Sequence, residues 1–502
     1  MVKDYLGNNK KEMNMKRISY YTKLLVGAVM MLSVVSCNDF INVQPSGQED
    51  EEQQFSSIRG FRNAMYGAYG SMATSDLYGG NLGFGFVDQL GQMFGYDNSS
   101  ETSYFVGQYD YMRSDVRSIV DAIWTKQYQA ISYVNNIIDQ TEKAKFEHAE
   151  LPLMRGECYG LRAFMHFDLA RLYCTDYTRS DANTLGLPYA TEFNLKNRTR
   201  YTLQATFNLI LKDLNQADSL LIDDNDVTYD NNFVRDYSKG RVILFNKFAV
   251  KATKARVYYA MGNYTEAAKY AREVINATQN FKLNTSTSLD SVMRFPANKE
   301  MIFGVYAADR STTIRSTFLR STGYGSFVEG RRDLRSLYEV DQFTALSSDL
   351  RYTSFFRENT SGSASSFSFI RLIQNDAEAT RGALKGFVLI SLPEMYYILS
   401  ESLYDTNQTE AISLLNQVRK SRGLGDVDAA KVATRTLFEQ EMMRERMREF
   451  PGMGQTFYAL KHYNRSFTDF RNIDTYQPSD AIFNLPWPDR ENEYGDQAVH
   501  NE

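Results

Sequence analysis

The stretch from Ala249 to Ile275 reads as a helix, a two-residue turn at Gly262 and Asn263, and a second helix, and this unit confines the chain to folds in which helices cover one another. Ala252, Ala255, Tyr259, Ala267, Ala268 and Ala271 fall where the two helices cross. Neither helix buries its apolar face alone, so the pair requires neighbours on both sides. Residues 393–422 repeat the plan, with Asp405 to Gln408 as the turn.

Three- and four-residue apolar spacing recurs over about 55–72, 117–141, 152–174, 202–221, 246–261, 264–277, 393–404, 408–422 and 434–449, and sustained alternation is almost absent. The expected fold is all-α, with about four tetratricopeptide-like helix pairs stacked in one domain over 55–502. Two long segments lack the period, 76–111 and about 284–389. The first holds nine aromatics and seven glycines in 36 residues, and the second is rich in Ser, Thr and Phe with short strand-like pieces such as 301–306. Long irregular excursions on a rigid frame are where binding sites concentrate.

The N-terminus sets the compartment. Lys16, Arg17 and Lys23 precede a mostly apolar run from Leu24 to Val35, too short to span a bilayer, and Ser36 then leads into Cys37. This is the pattern of a bacterial lipoprotein signal, with Cys37 the lipidated first residue after cleavage of 1–36. Translation from Met15 would serve the signal equally. Residues 37–54 are polar, with Glu49-Asp50-Glu51-Glu52 in a row, and read as a flexible tether.

Composition excludes several functions. Residues 1–36 contain six basic and two acidic residues, so the remainder carries 50 basic against 59 acidic, a net charge of −9. Phosphate neutralisation needs a basic face, so nucleic acid is not an expected partner. Cys158 and Cys174 lie sixteen residues apart in one expected helix, beyond disulfide reach, and read as thiols. His148, His166, His462 and His500 form no metal-ligand spacing, and no nucleophile elbow or phosphate loop is present. No cofactor and no enzymatic activity are expected. The charged run Arg444 to Glu449 alternates around its helix and reads as a structural ion network.

Five stretches, in order, resemble the SusD/RagB family of outer-membrane lipoproteins. After Cys37 comes NDFINVQP (38–45). LRAFMHFDLARLY (161–173), followed by Gly186-Leu187-Pro188, is similar to the family's "LRAfyyfdLvrlyG…GvP". Residues 252–275 match its central helix pair. Glu394 to Glu401, Glu410-Ala411 and LNQVR (415–419) are similar to "aEvyLi.AEa…eAl..lN.vR". ERMREF (445–450) resembles "ERr.Ef", and FNLPWP (483–488) the terminal "l.PiP". The chain departs from the pattern where "EGhRwfDLrR" is usual: Met453, Thr456 and Ala459 occupy the acid, arginine and aspartate positions, and Ser391 replaces a common arginine.

The resemblance implies a cell-surface protein that sits over a SusC-like TonB-dependent transporter and passes it oligomeric nutrients, glycans most often and peptides in some members. It supplies no catalytic residue and no positional binding motif. Sugars present apolar C–H faces and hydroxyl edges, so candidates are aromatic residues beside amides and carboxylates. Tyr78, Phe94, Tyr96, Asp97 and Asn98 from the first excursion and Tyr324, between two glycines, from the second meet that need. Trp124 and Trp487 read as core. A peptide ligand and a scaffold role without small ligand stand as alternatives.

Overall fold

The computed structural model describes residues 51–95, 102–194, 196, 198–225, 227, 236–284, 295, 299–307, 310–318, 329–344, 346–361, 364–373, 386–495 and 498–501. Cys37, Tyr96, Asp97, Asn98 and Tyr324 lie outside them. The chain divides into two units, 1–57 and 58–502. Within the first, Glu51–Gln54 is a single helical turn at the end of the expected tether.

The second unit is a helical frame. The helices that build the frame are α1 (Ile58–Met72), α2 (Ser114–Lys143), α3 (Glu150–Tyr173), α4 (Leu203–Leu220), α5 (Lys247–Ala260), α6 (Tyr264–Ile275), α7 (Leu392–Leu403), α8 (Gln408–Ser421), α9 (Arg435–Glu449) and α10 (Thr456–Tyr463), with shorter ones in the connections. Every helix expected from periodicity is present. From α2 to α8 each packs on the next, and α9 crosses α7. Side-chain caps start several of them, because the first backbone N–H groups of a helix have no partner within it. Asn246 Oδ1 accepts from the N–H groups of Phe248 and Ala249, both at 2.9 Å, and opens α5. Asn263 and Asn407 accept from Glu266 N and Glu410 N at 3.2 Å and open the second helix of each expected pair. Between α5 and α6 the chain reverses through Gly262 at φ +71°, a left-handed conformation that disfavours a side chain.

Helix α3 is the centre. Every residue from Gly160 to Ala170 is buried, so its polar groups must find partners inside. Arg162 makes a two-pronged pair with Asp213, both contacts at 2.7 Å. Glu157 accepts from Tyr69, Tyr237 and Arg241 at 2.5–2.8 Å. Ala190 N donates to His166 Nε2 at 3.1 Å, which assigns the ring proton to Nδ1, 2.9 Å from the Arg162 carbonyl. Burial drives that imidazole down to about 3, so it is neutral. Cys158 and Cys174 are buried thiols.

The excursions supply most of the described strands. β1 (Phe94–Gly95), β3 (Glu329–Gly330), β4 (Phe356–Ser361) and β5 (Ala364–Phe369) form an antiparallel sheet in the order β1-β3-β5-β4, and β2 (Met301–Tyr306) pairs with β6 (Gly386–Ser391). The first excursion is less of a surface loop than its composition suggests. Leu77, Tyr78, Phe84, Phe86, Leu90, Met93 and Phe94 are all buried. Its glycines allow the fold-back: a Cβ on Gly79 would stand 2.0 Å from the Ala73 carbonyl oxygen. Tyr78 therefore turns inward onto α2 and α3, and Phe84 and Phe94 pack on Phe318, Phe369 and Phe387 of the second excursion.

The second excursion contributes a buried ion network. Glu445 of α9 accepts from Arg419 and Arg448 at 2.7 Å and from Arg351 at 3.1 Å. Glu449 accepts from Arg422 at 2.8 Å and Arg351 at 3.0 Å, and Arg422 also grips Glu300. The expected structural role of the 444–449 run is observed. Its partners Arg351 and Glu300, from the second excursion, carry no local signal in sequence.

Candidate functional site

A cleft of about 900 Å³ opens where both excursions meet α9. Gly91 and Gln92 reach it from the first excursion and the segment 331–339 from the second, while α9 and residues 460–468 complete the walls. Its geometry follows from the helix period. Gln440, Met443, Arg444 and Met447 recur at three- and four-residue steps and line the cleft, whereas Glu441 and Glu445 lie in the buried network and Arg448 borders both. The cleft is thus the second face of the charged run.

Met443, Met447, Leu460 and Phe467 give the cleft its apolar surface, and Phe467 is steadied by Tyr476, 5.6 Å away between ring centres. The polar rim is held by fixed pairs. Arg331 binds Asp333 through Nε at 2.9 Å and also donates to the Gln92 carbonyl at 3.1 Å and to Thr468 Oγ1 at 2.9 Å, tying three wall segments together. Glu339, at φ 54°, accepts from Arg448 at 3.1 Å and Lys431 at 3.2 Å. Partial burial would raise its carboxyl, but Arg448 and Lys431 prevail and hold it below the ordinary glutamate value. Glu439 accepts from Arg435 at 2.8 Å and Arg465 at 2.5 Å. Gln440 and Arg444 are exposed at the mouth. Such a surface can lay an apolar ring face on Phe467 and the methionines while amide, guanidinium and carboxylate groups meet hydroxyls.

The expected contact residues fare differently. Tyr78 is not a surface platform: its hydroxyl donates to Asp168 Oδ2 at 2.8 Å and accepts from Gln127 at 2.7 Å, and its ring packs 5.5 Å from Phe164. Phe94 is 1% exposed, with Phe369 at 4.8 Å and Phe318 at 5.9 Å. Both are core residues, because the glycine turns aim them inward. In β1 and β3, Gly95 stands opposite Glu329. Tyr96, Asp97, Asn98 and Tyr324 lie outside the described residues. Trp124 is buried, and Trp487 lies 5.1 Å from it with its indole N–H on the Tyr173 carbonyl at 3.1 Å. Sequence reasoning missed Gln440, Met443, Arg444 and Met447, whose signal was the heptad-like spacing opposite the buried charges.

Comparison with known proteins agrees with this architecture. A family model described as "Starch-binding associating with outer membrane" matches residues 86–259, and the SusD family model matches 342–499. SusD-like protein P2 of Formosa agariphila is 24% identical over 280 residues, 54% of this chain and 49% of that protein, so the chain matches about half the length of this relative. A SusD superfamily protein of Bacteroides thetaiotaomicron shares the fold at a TM-score of 0.68 and 19% identity, covering 87% of this chain and 97% of that one. A SusD-like carbohydrate binding protein of Bacteroides vulgatus does so at 0.66 and 17%, covering 86% and 95%. With the two models lying in order along one helical frame whose fold these solved proteins share, the chain belongs to the SusD/RagB family.

Proposed function

We propose that the chain is a lipid-anchored binding protein of the outer membrane that captures an oligo- or polysaccharide and delivers it to a SusC-like TonB-dependent transporter. The observation that carries the reading is the cleft, in which both excursions of a SusD-type frame join an apolar floor and a polar rim of sugar-binding character. The lipoprotein signal ending at Cys37 supports the anchor, and the Bacteroides vulgatus carbohydrate binding protein shares the fold. Capture proceeds by stacking and hydrogen bonding, with no bond made or broken. Each sugar unit adds little, so an extended ligand filling the cleft and meeting Tyr96, Asp97, Asn98 and Tyr324 is required for tight binding.

Peptide binding is the second reading, favoured by one observation: Trp124 and Trp487 pack against one another instead of offering a stacking surface. Calorimetric titration of the purified protein against soluble polysaccharides, their oligosaccharides and a mixed peptide digest separates the two. Heat with a polysaccharide supports the glycan reading; heat from peptides alone overturns it. Gln440→Ala and Arg444→Ala, at the exposed mouth, are expected to weaken the bound sugar about 5- to 30-fold each, equivalent to roughly 1–2 kcal/mol, with the thermal midpoint unchanged. Tyr96→Ala is expected to behave alike; loss of stability in step with affinity would make Tyr96 a core residue.

A further inference from the structure

The cleft beside α9 differs in charge from the chain that carries it. Residues 37–502 have a net charge of −9, yet five basic residues line the cleft against three acidic ones. Each of the three carboxylates is held by a cation. Asp333 takes both prongs of Arg331, Glu339 lies between Arg448 and Lys431, and Glu439 between Arg435 and Arg465.

What the cleft shows to solvent is mainly positive. The side chains of Lys431, Arg444 and Arg465 are 37–54% exposed, those of Asp333, Glu339 and Glu439 20–34%. Arg444 is the least compensated of them. Its Nη1 stands 3.3 Å from Glu441 Oε2, its one ion pair among the described residues. Glu441 is buried and also faces Arg448 at 3.3 Å and Arg419 at 3.5 Å. One carboxylate thus serves three guanidiniums, of which Arg419 and Arg448 are buried and Arg444 stands at the mouth. A cleft lined by one excess sign focuses the field and draws in ligands of the other.

From the cationic rim on an acidic chain and the uncompensated guanidinium of Arg444, we infer that the glycan taken by this cleft is acidic, an oligosaccharide bearing carboxylate or sulfate groups. The inference rests on the glycan reading proposed above and narrows it. A planar guanidinium meets two oxygens of an oxyanion with two parallel hydrogen bonds, which neither an ammonium nor an amide can do. A neutral sugar has no use for the surplus charge, since its hydroxyls are served by amides and by carboxylates that are already paired.

The test is calorimetric titration of the full protein with neutral polysaccharides (starch, xylan, galactan), uronate polysaccharides (polygalacturonate, alginate) and a sulfated one without uronate (carrageenan). Heat with an acidic polysaccharide is expected, and the arm that gives it assigns the anionic group. The polysaccharide that binds is then compared with its own carboxyl-reduced or desulfated form, which is expected to bind about 10-fold more weakly or worse. That comparison needs no variant. Arg444→Gln keeps a hydrogen-bonding side chain at the mouth without the charge. It is expected to weaken the acidic glycan about 10-fold and to flatten the loss of affinity with rising sodium chloride, at an unchanged thermal midpoint. Heat from neutral polysaccharides alone, equal affinity for the acidic glycan and its neutral form, or an Arg444→Gln protein with wild-type affinity and salt dependence overturns the inference and leaves the glycan reading standing. Silence from every polysaccharide overturns both.

Discussion

Glu445 shows how a single side chain can hold distant segments of this fold. Burial alone would lift its carboxyl, but Arg351, Arg448 and Arg419 outweigh burial and bring it to about 2, below the ordinary 4.5. Because its folded value is depressed, its contribution to stability is complete above about pH 4.5 and is lost as pH falls through about 2. Glu445→Gln leaves three buried guanidiniums short of a charge and is expected to cost about 3–5 kcal/mol in urea denaturation. Asp88 has the opposite sign. Burial raises it to about 8, against the N–H groups of Gly452 and Gly454 that favour its ionised form. Its contribution is complete below 3.8 and lost as pH rises through about 8, with a slope of at most about 1.4 kcal/mol per pH unit. Asp88→Asn should therefore flatten the stability profile between about pH 4 and about pH 8, as measured by denaturation midpoints across that range. Phe94→Ala tests the corrected placement of that ring. It is expected to cost about 3–5 kcal/mol, the penalty of a core cavity, rather than ligand affinity alone.

At the scale of elements, periodicity made the helices legible because burial of one face is written into neighbouring residues. The turn between α5 and α6 was equally readable in Gly262 and Asn263. Gly262→Ala forces a side chain into the left-handed region and is expected to cost about 1–2 kcal/mol in thermal or chemical denaturation, while Gly262→Asn should cost less. The candidate site was read less fully. Aromatic density does not reveal direction, so Tyr78 and Phe94 read as outward in the sequence; the backbone turns at Gly79 set the direction inward. The charged face of α9 was identified as structural, and its outward stripe passed unnoticed because Met443 and Met447 resemble core residues. Arg351 and Glu300 could not be matched to α9 without knowing which chain segments meet.

For the larger unit as a whole, distant parts of the sequence are stitched together by its final stretch. Leu485 N donates to the Leu172 carbonyl at 2.8 Å, Arg117 reaches the Trp487 carbonyl at 2.6 Å, and residues 499–500 pair with 200–201. A chain stopped after Ser479 exposes the ends of α2 and α3 and is expected to melt several degrees lower and to be cut faster by protease. The short ladder joining Gly95 to Glu329 has an evolutionary bearing. Its two strands share their rungs, so an exchange of either between relatives alters the footing of the other. The rung is the unit of exchange: moving 94–95 together with 329–330 to a new frame keeps each strand its partner, whereas moving one alone leaves its backbone groups unpaired.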